Sequence, residues 1–181
     1  MNVPNIITAF RALMIPIFIM AVFNRNFEAA TWIFLLAAAS DAVDGFLARK
    51  LKQVTTAGVM LDPIVDKLLI NTAFIVLSYI DKIIPVWLTI LVLSRDTLII
   101  IGGLLLAASG KAKKIKPSVL GKLTAFFQFF TVFTTLVSLN FKIPEELVKN
   151  LFLVTAGFTA ASAVDYTVRG IKELSNEEIP A

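Results

Sequence analysis

Six stretches of this chain are apolar over about 20 residues each, the length needed to cross hydrocarbon. They cover roughly residues 4–23, 29–48, 61–80, 84–108, 119–139 and 147–168. A soluble domain of this size is seldom 57% hydrophobic with a mean hydropathy of +0.83, so the bilayer is the expected solvent. The connectors between the stretches are short, and neither a tandem repeat nor a low-complexity segment is visible. The expectation is one all-α membrane domain over residues 1–181, with six transmembrane helices. The first stretch is too long for a cleaved signal peptide, carries Arg11 and lacks a convincing small-residue cleavage site.

Basic residues set the expected orientation. The linkers after the second and fourth stretches and the C-terminal tail hold Arg49, Lys50, Lys52, Lys111, Lys113, Lys114, Lys116, Arg169 and Lys172. The opposite loops hold only Arg25, Lys82, Lys142 and Lys149. Positive charge favours the cytoplasmic side, which places both termini there.

Against this apolar background the chain sets Asp41 and Asp44 at the end of its second stretch and Asp62 and Asp66 at the start of its third. With both stretches helical, the first pair is an i, i+3 pair and the second an i, i+4 pair, so each shares a face. The expected topology puts all four at a similar depth near the cytoplasm. Gly58, Asp62 and Asp66 form one stripe if the third helix begins before Asp62, whereas Pro63 either kinks or restarts that helix.

One aspartate at a helix centre costs about 2.5–3.5 kcal/mol on insertion scales, less near the interface, and four facing one another add repulsion. Protons or cations must neutralise them. Neither histidine nor cysteine occurs in the chain, which removes the usual zinc ligands and the usual general base. An all-oxygen set suits hard ions such as Mg²⁺, Mn²⁺ or Ca²⁺, and two ions about 3.5–4 Å apart would suit a phosphoryl displacement. The plain alternative is that the acids pair with Arg49, Lys67 or other helices and bind nothing.

Taken together, Asp41-x-x-Asp44-Gly45-x-x-Ala48-Arg49, eight residues, Gly58-x-x-x-Asp62-x-x-x-Asp66 resembles the signature of the CDP-alcohol phosphotransferases at every fixed position. Within that family the chain is most similar to the bacterial branch that makes phosphatidylglycerophosphate. The stretches "PNIITAFRAL", "LDPIVDKLL", "SRDTLI", "GKLTAFFQ" and "SAVDYTV" carry that likeness. The resemblance implies transfer of the phosphatidyl group of CDP-diacylglycerol to sn-glycerol 3-phosphate, with release of CMP. It also implies a multi-pass protein of the cell membrane, a cytoplasm-facing active site, surrounding membrane lipids and a homodimer, with no nucleic-acid partner.

Roles follow from the resemblance residue by residue. Asp41, Asp44 and Asp62 hold divalent metal, Mg²⁺ or Mn²⁺ and two ions in all, at the donor pyrophosphate. Asp66 is the general base for the acceptor hydroxyl and also touches the second ion. Gly45, Ala48, Arg49 and Gly58 surround the CDP moiety, with Asn5 and Thr8, and Arg11 beyond them, lining the nucleotide from the first helix. Helix capping and interface anchoring are the simpler account of that last stripe.

The acceptor phosphate requires a basic pocket. Arg95 inside the fourth apolar stretch is the first candidate, with a local ion pair to Asp96 as the alternative. Lys116 and Lys122 either bind that phosphate or snorkel to lipid headgroups. Lys67 is either part of the site or structural, and Asp165 and Arg169 either pair at i, i+4 or close the cavity. "KAKKIK" reads as a lipid-facing cytoplasmic loop and "FFQFF" as packing or lipid-facing surface, with Gln128 unexplained. Rival readings keep the chemistry with inositol phosphate, serine or phosphatidylglycerol as acceptor, or make the acids the ion path of a cation transporter.

Overall fold

A computed structural model describes the backbone of residues 3–51, 56–108 and 118–175, and side chains within these at 10–40, 67–105, 108, 118–172 and 175. The described residues form six α-helices and no strand: α1 Val3–Phe23, α2 Phe27–Leu51, α3 Thr56–Tyr79, α4 Val86–Ala108, α5 Val119–Asn140 and α6 Glu145–Ser175. Each apolar stretch of the sequence falls within or against one helix, with α3 beginning earlier, at Thr56, and α6 running on to Ser175. Pro63 lies inside α3, which begins at Thr56 and therefore before Asp62.

Helix ends are set by short polar signals. At the end of α1, Arg25 takes φ 55°, its N–H donates to the Val22 carbonyl (3.0 Å), and the Asn26 N–H donates to the Ala21 carbonyl (2.9 Å). This left-handed closure satisfies carbonyls that the helix leaves unpaired. Asn26 then opens α2, its Oδ1 accepting the Ala29 N–H at 3.1 Å. Ser118 does the same for α5 through the Gly121 N–H at 3.0 Å, and Glu145 and Glu146 occupy the electropositive first turn of α6.

The helices divide between two compact units, Met1–Val86 with Val132–Val148, and Trp87–Thr131 with Lys149–Ala181. In the first unit α1 packs against α2 and α3. Phe18, Phe34, Phe74 and Leu77 are fully buried there, with the Phe18 and Phe34 rings 6.1 Å apart. Ala30 and Ala37 flank Phe34 on the buried stripe of α2, where small side chains admit a neighbouring helix. Arg25 and Asp81 join two turns of this unit by an exposed ion pair of 2.7 Å, which contributes little to stability.

In the second unit the contact between α5 and α6 is polar. Thr131 and Thr155 share a hydroxyl–hydroxyl bond of 2.7 Å, and Thr124 donates to the Phe158 carbonyl at 3.0 Å. The Phe127 ring stacks on Phe158 at 4.5 Å, while Phe126 and Phe130 are exposed, so "FFQFF" is part packing and part outward surface.

Thr124, Thr131, Thr155, Thr159 and Ser162 are buried, whereas Leu13, Met20, Trp32, Leu104 and Leu153 are each more than 60% exposed. A soluble protein places these classes the other way round. Three helices, over Val86–Leu105, Val119–Asn140 and Glu145–Lys172, are long and apolar enough to cross a membrane; the described parts of the others, Phe10–Phe23, Phe27–Ser40 and Lys67–Tyr79, are apolar and shorter. This is the surface of a membrane protein.

Hydroxyl pairs between apolar helices contribute modestly, so Thr131→Val should lower unfolding free energy in detergent micelles by about 1 kcal/mol. Thr131→Val combined with Thr155→Val should cost less than the two single changes added together. Strict additivity would show that the two hydroxyls act separately.

Candidate active site

Asp41 and Asp44 lie on the backbone of α2, and Asp62 and Asp66 on that of α3. At 1.5 Å per residue, the first pair stands about 10–15 Å before the end of α2 and the second about 9–15 Å after the start of α3. Both pairs are thus at matching distances from the connection between the helices, which belong to one unit and contact each other. The side chains of these four aspartates lie outside the described residues, as do those of Asn5, Thr8, Gly45, Ala48, Arg49 and Gly58. Lys116 and the rest of "KAKKIK" lie outside them altogether.

Among the described residues no group of three or more His, Cys, Asp or Glu could hold a metal ion. The donor set on α2 and α3 is carboxylate only, which is the chemistry a hard divalent cation requires. Arg11, on α1 of the same unit, is 2% exposed, and Lys67, next to Asp66 on α3, is half-buried.

The second unit holds a well-defined buried polar cluster around Arg95, which is 3% exposed on α4. Arg95 Nη1 donates to Asp96 Oδ1 at 2.7 Å, the local ion pair that the sequence offered as an alternative. Two further donors, Nε at 3.2 Å and Nη2 at 2.7 Å, converge on Ser162 Oγ of α6. The Tyr166 ring, one turn along α6, lies 5.5 Å from the guanidinium carbon, within cation–π range. Its hydroxyl accepts the Ser118 N–H in a long bond of 3.4 Å.

Gly121, in the first turn of α5, makes this closure possible. A Cβ there would stand 2.8 Å from the Tyr166 hydroxyl and 3.4 Å from Arg95 Nη2. Lys122 beside it is exposed. Asp165 and Arg169 form their i, i+4 pair, with Arg169 Nε donating to Asp165 Oδ1 at 2.8 Å. Gln128 is buried, and its Nε2 finds no acceptor among the described residues.

Ser162, Tyr166, Ser118 and Gly121 are the residues of this cluster that sequence reasoning missed. Ser162 and Tyr166 stand at i, i+4 within "SAVDYTV", and that polar spacing on an apolar helix was their one local signal.

The family model for CDP-alcohol phosphatidyltransferase matches residues 1–162. The CDP-diacylglycerol--glycerol-3-phosphate 3-phosphatidyltransferase of Bacillus subtilis (strain 168) is 33% identical over 186 aligned residues, covering 91% of this chain and 93% of that protein. The protein of the same name from Aquifex aeolicus (strain VF5) is 33% identical, covering 98% of this chain and 100% of its own. Cardiolipin synthase (CMP-forming) of Rattus norvegicus is 31% identical over 94% of this chain and 62% of that protein. Matched by the family model over most of its length, the chain belongs to the CDP-alcohol phosphatidyltransferase family.

Proposed function

We propose that this phosphatidyltransferase moves the phosphatidyl group of CDP-diacylglycerol onto sn-glycerol 3-phosphate, giving phosphatidylglycerophosphate and CMP. The observation that carries this reading is similarity over nearly the whole chain to relatives named for that reaction, two of them at 33% identity. The eight-position pattern on α2 and α3 supports the same chemistry.

The protein works as one catalytic domain over residues 1–181, and as a homodimer in the cytoplasmic membrane. All six helices span, both termini are cytoplasmic and the active site faces the cytoplasm, a topology supported by the uneven loop charges. Gly45, Ala48 and Gly58 let the nucleotide lie close to the helices, Arg49 pairs with its phosphate, and Asn5, Thr8 and Arg11 line it. Arg95, Lys116 and Lys122 bind the acceptor phosphate. Lys67 beside Asp66 supplies local positive charge.

The acceptor hydroxyl gives its proton to the Asp66 carboxylate as its oxygen bonds to the phosphorus that carries diacylglycerol. The bond from that phosphorus to the bridging pyrophosphate oxygen breaks, and CMP departs with the electron pair. Asp41, Asp44, Asp62 and Asp66 would hold two Mg²⁺ or Mn²⁺ ions, which when bound neutralise charge on the pyrophosphate. Orientation of the two substrates and fixed electrostatics supply most of the rate.

Two measurements test this. Purified protein given labelled CDP-diacylglycerol and Mg²⁺ or Mn²⁺ should form phosphatidylglycerophosphate and CMP in equal amounts with glycerol 3-phosphate, and should stop when EDTA is added. Cardiolipin formed from phosphatidylglycerol instead would move the chain to its other named relatives, and cation flux without CMP release would make it a transporter. Asp66→Asn should lower kcat by about 10²–10⁴-fold, the usual contribution of a positioned base. Full activity of that variant would remove Asp66 from the role.

A further inference from the structure

We propose that Ser162 and Tyr166 are positioning residues for Arg95, fixing its guanidinium so that one N–H on each Nη is presented to the acceptor's phosphate. This deepens the reading above and rests on it.

The need comes from physics local to α4. A guanidinium enclosed in an apolar unit must have its donors satisfied, and one on a long side chain has many rotamers to lose. Asp96 engages Nη1 from the next position on the same helix, at 2.7 Å. A single partner at one nitrogen leaves the plane of the fork free to turn about that bond.

Ser162 removes this freedom. Its Oγ accepts from both Nε at 3.2 Å and Nη2 at 2.7 Å, gripping one edge of the plane from 67 residues away in sequence. Tyr166, one turn further along α6, places its ring 5.5 Å from Cζ. Hydrogen bonds therefore hold an edge of the guanidinium while an aromatic ring lies against it. Gly121 lets ring and guanidinium close on the first turn of α5, because a Cβ would stand 2.8 Å from the Tyr166 hydroxyl.

Among the described residues three of the five guanidinium N–H groups are thereby directed at protein acceptors, leaving one on Nη1 and one on Nη2. Donors on the two Nη atoms can meet two oxygens of a phosphate monoester, and their worth depends on their being held still.

The experiment is steady-state kinetics on the full chain in mixed micelles. Ser162→Ala should raise KM for glycerol 3-phosphate about tenfold, with kcat and the KM for CDP-diacylglycerol changed far less, the pattern of lost acceptor binding. Tyr166→Phe, which keeps the ring, should stay near the wild type, whereas Tyr166→Leu should follow Ser162→Ala. In an Arg95→Lys background, Ser162→Ala should add almost nothing, because its effect passes through the fork.

An unchanged acceptor KM in Ser162→Ala would overturn the inference. So would an equal rise in both KM values, which marks a structural role, or an undiminished effect in the Arg95→Lys background. Wild-type protein that turns over no glycerol 3-phosphate would overturn the acceptor assignment and this inference with it. An active wild type with indifferent variants would overturn the inference alone.

Discussion

A polar group inside an apolar helix has no water to fall back on, and every notable feature of this chain answers that constraint. The backbone answers it with six helices joined by short turns among the described residues. Several polar side chains answer it by turning inward: Thr124, Thr131, Thr155, Ser162 and Arg95 are buried, while Leu13, Met20 and Trp32 face out. Packing between helices then depends less on squeezing out water than on close fit and hydrogen bonds. The hydroxyl bond from Thr131 to Thr155, with the Phe127–Phe158 stack beside it, is that kind of joint.

Arg95 shows how the same constraint converts a liability into a device. A lone cation here is costly, so it recruits Asp96 for charge, Ser162 for donors and Tyr166 for a face. Each partner stabilises the buried charge, and together they also fix its direction. The ion pair and the functional role, set against each other as alternatives by sequence, are compatible, because a guanidinium has more donors than one carboxylate engages.

What the sequence disclosed follows from the range of each signal. Apolar runs are local, so all six helices were legible from them, with ends displaced by a few residues where polar turns such as 24–26 set the boundary. The Asp165–Arg169 pair was legible because i, i+4 is a local relation. The grip of Ser162 on Arg95 was not, because it joins α6 to α4 and neither element's periodicity records the other. Gly121 was equally silent: its reason is the Tyr166 hydroxyl, 45 positions away in sequence. Pro63 left the opposite kind of ambiguity, since a proline rule that allows either a kink or a restart cannot by itself say that α3 extends from Thr56 to Tyr79.

The relatives sharpen where acceptor choice must reside. Proteins named for glycerol 3-phosphate and for cardiolipin formation stand at 33% and 31% identity to this chain, so bulk similarity does not separate them. Under the reading proposed above, the aspartate pattern on α2 and α3 would serve the donor half of the reaction and leave acceptor choice to other residues. The acceptors differ in one chemical respect that a side chain can read: glycerol 3-phosphate ends in a phosphate monoester with three unesterified oxygens, whereas phosphatidylglycerol carries a diester within a lipid. On that reading a cation held at its edge by Ser162 would favour the first, since a monoester carries up to two negative charges and a diester only one. Discrimination of that kind depends on a few buried contacts rather than on the fold, which is how one helical framework can serve several acceptors.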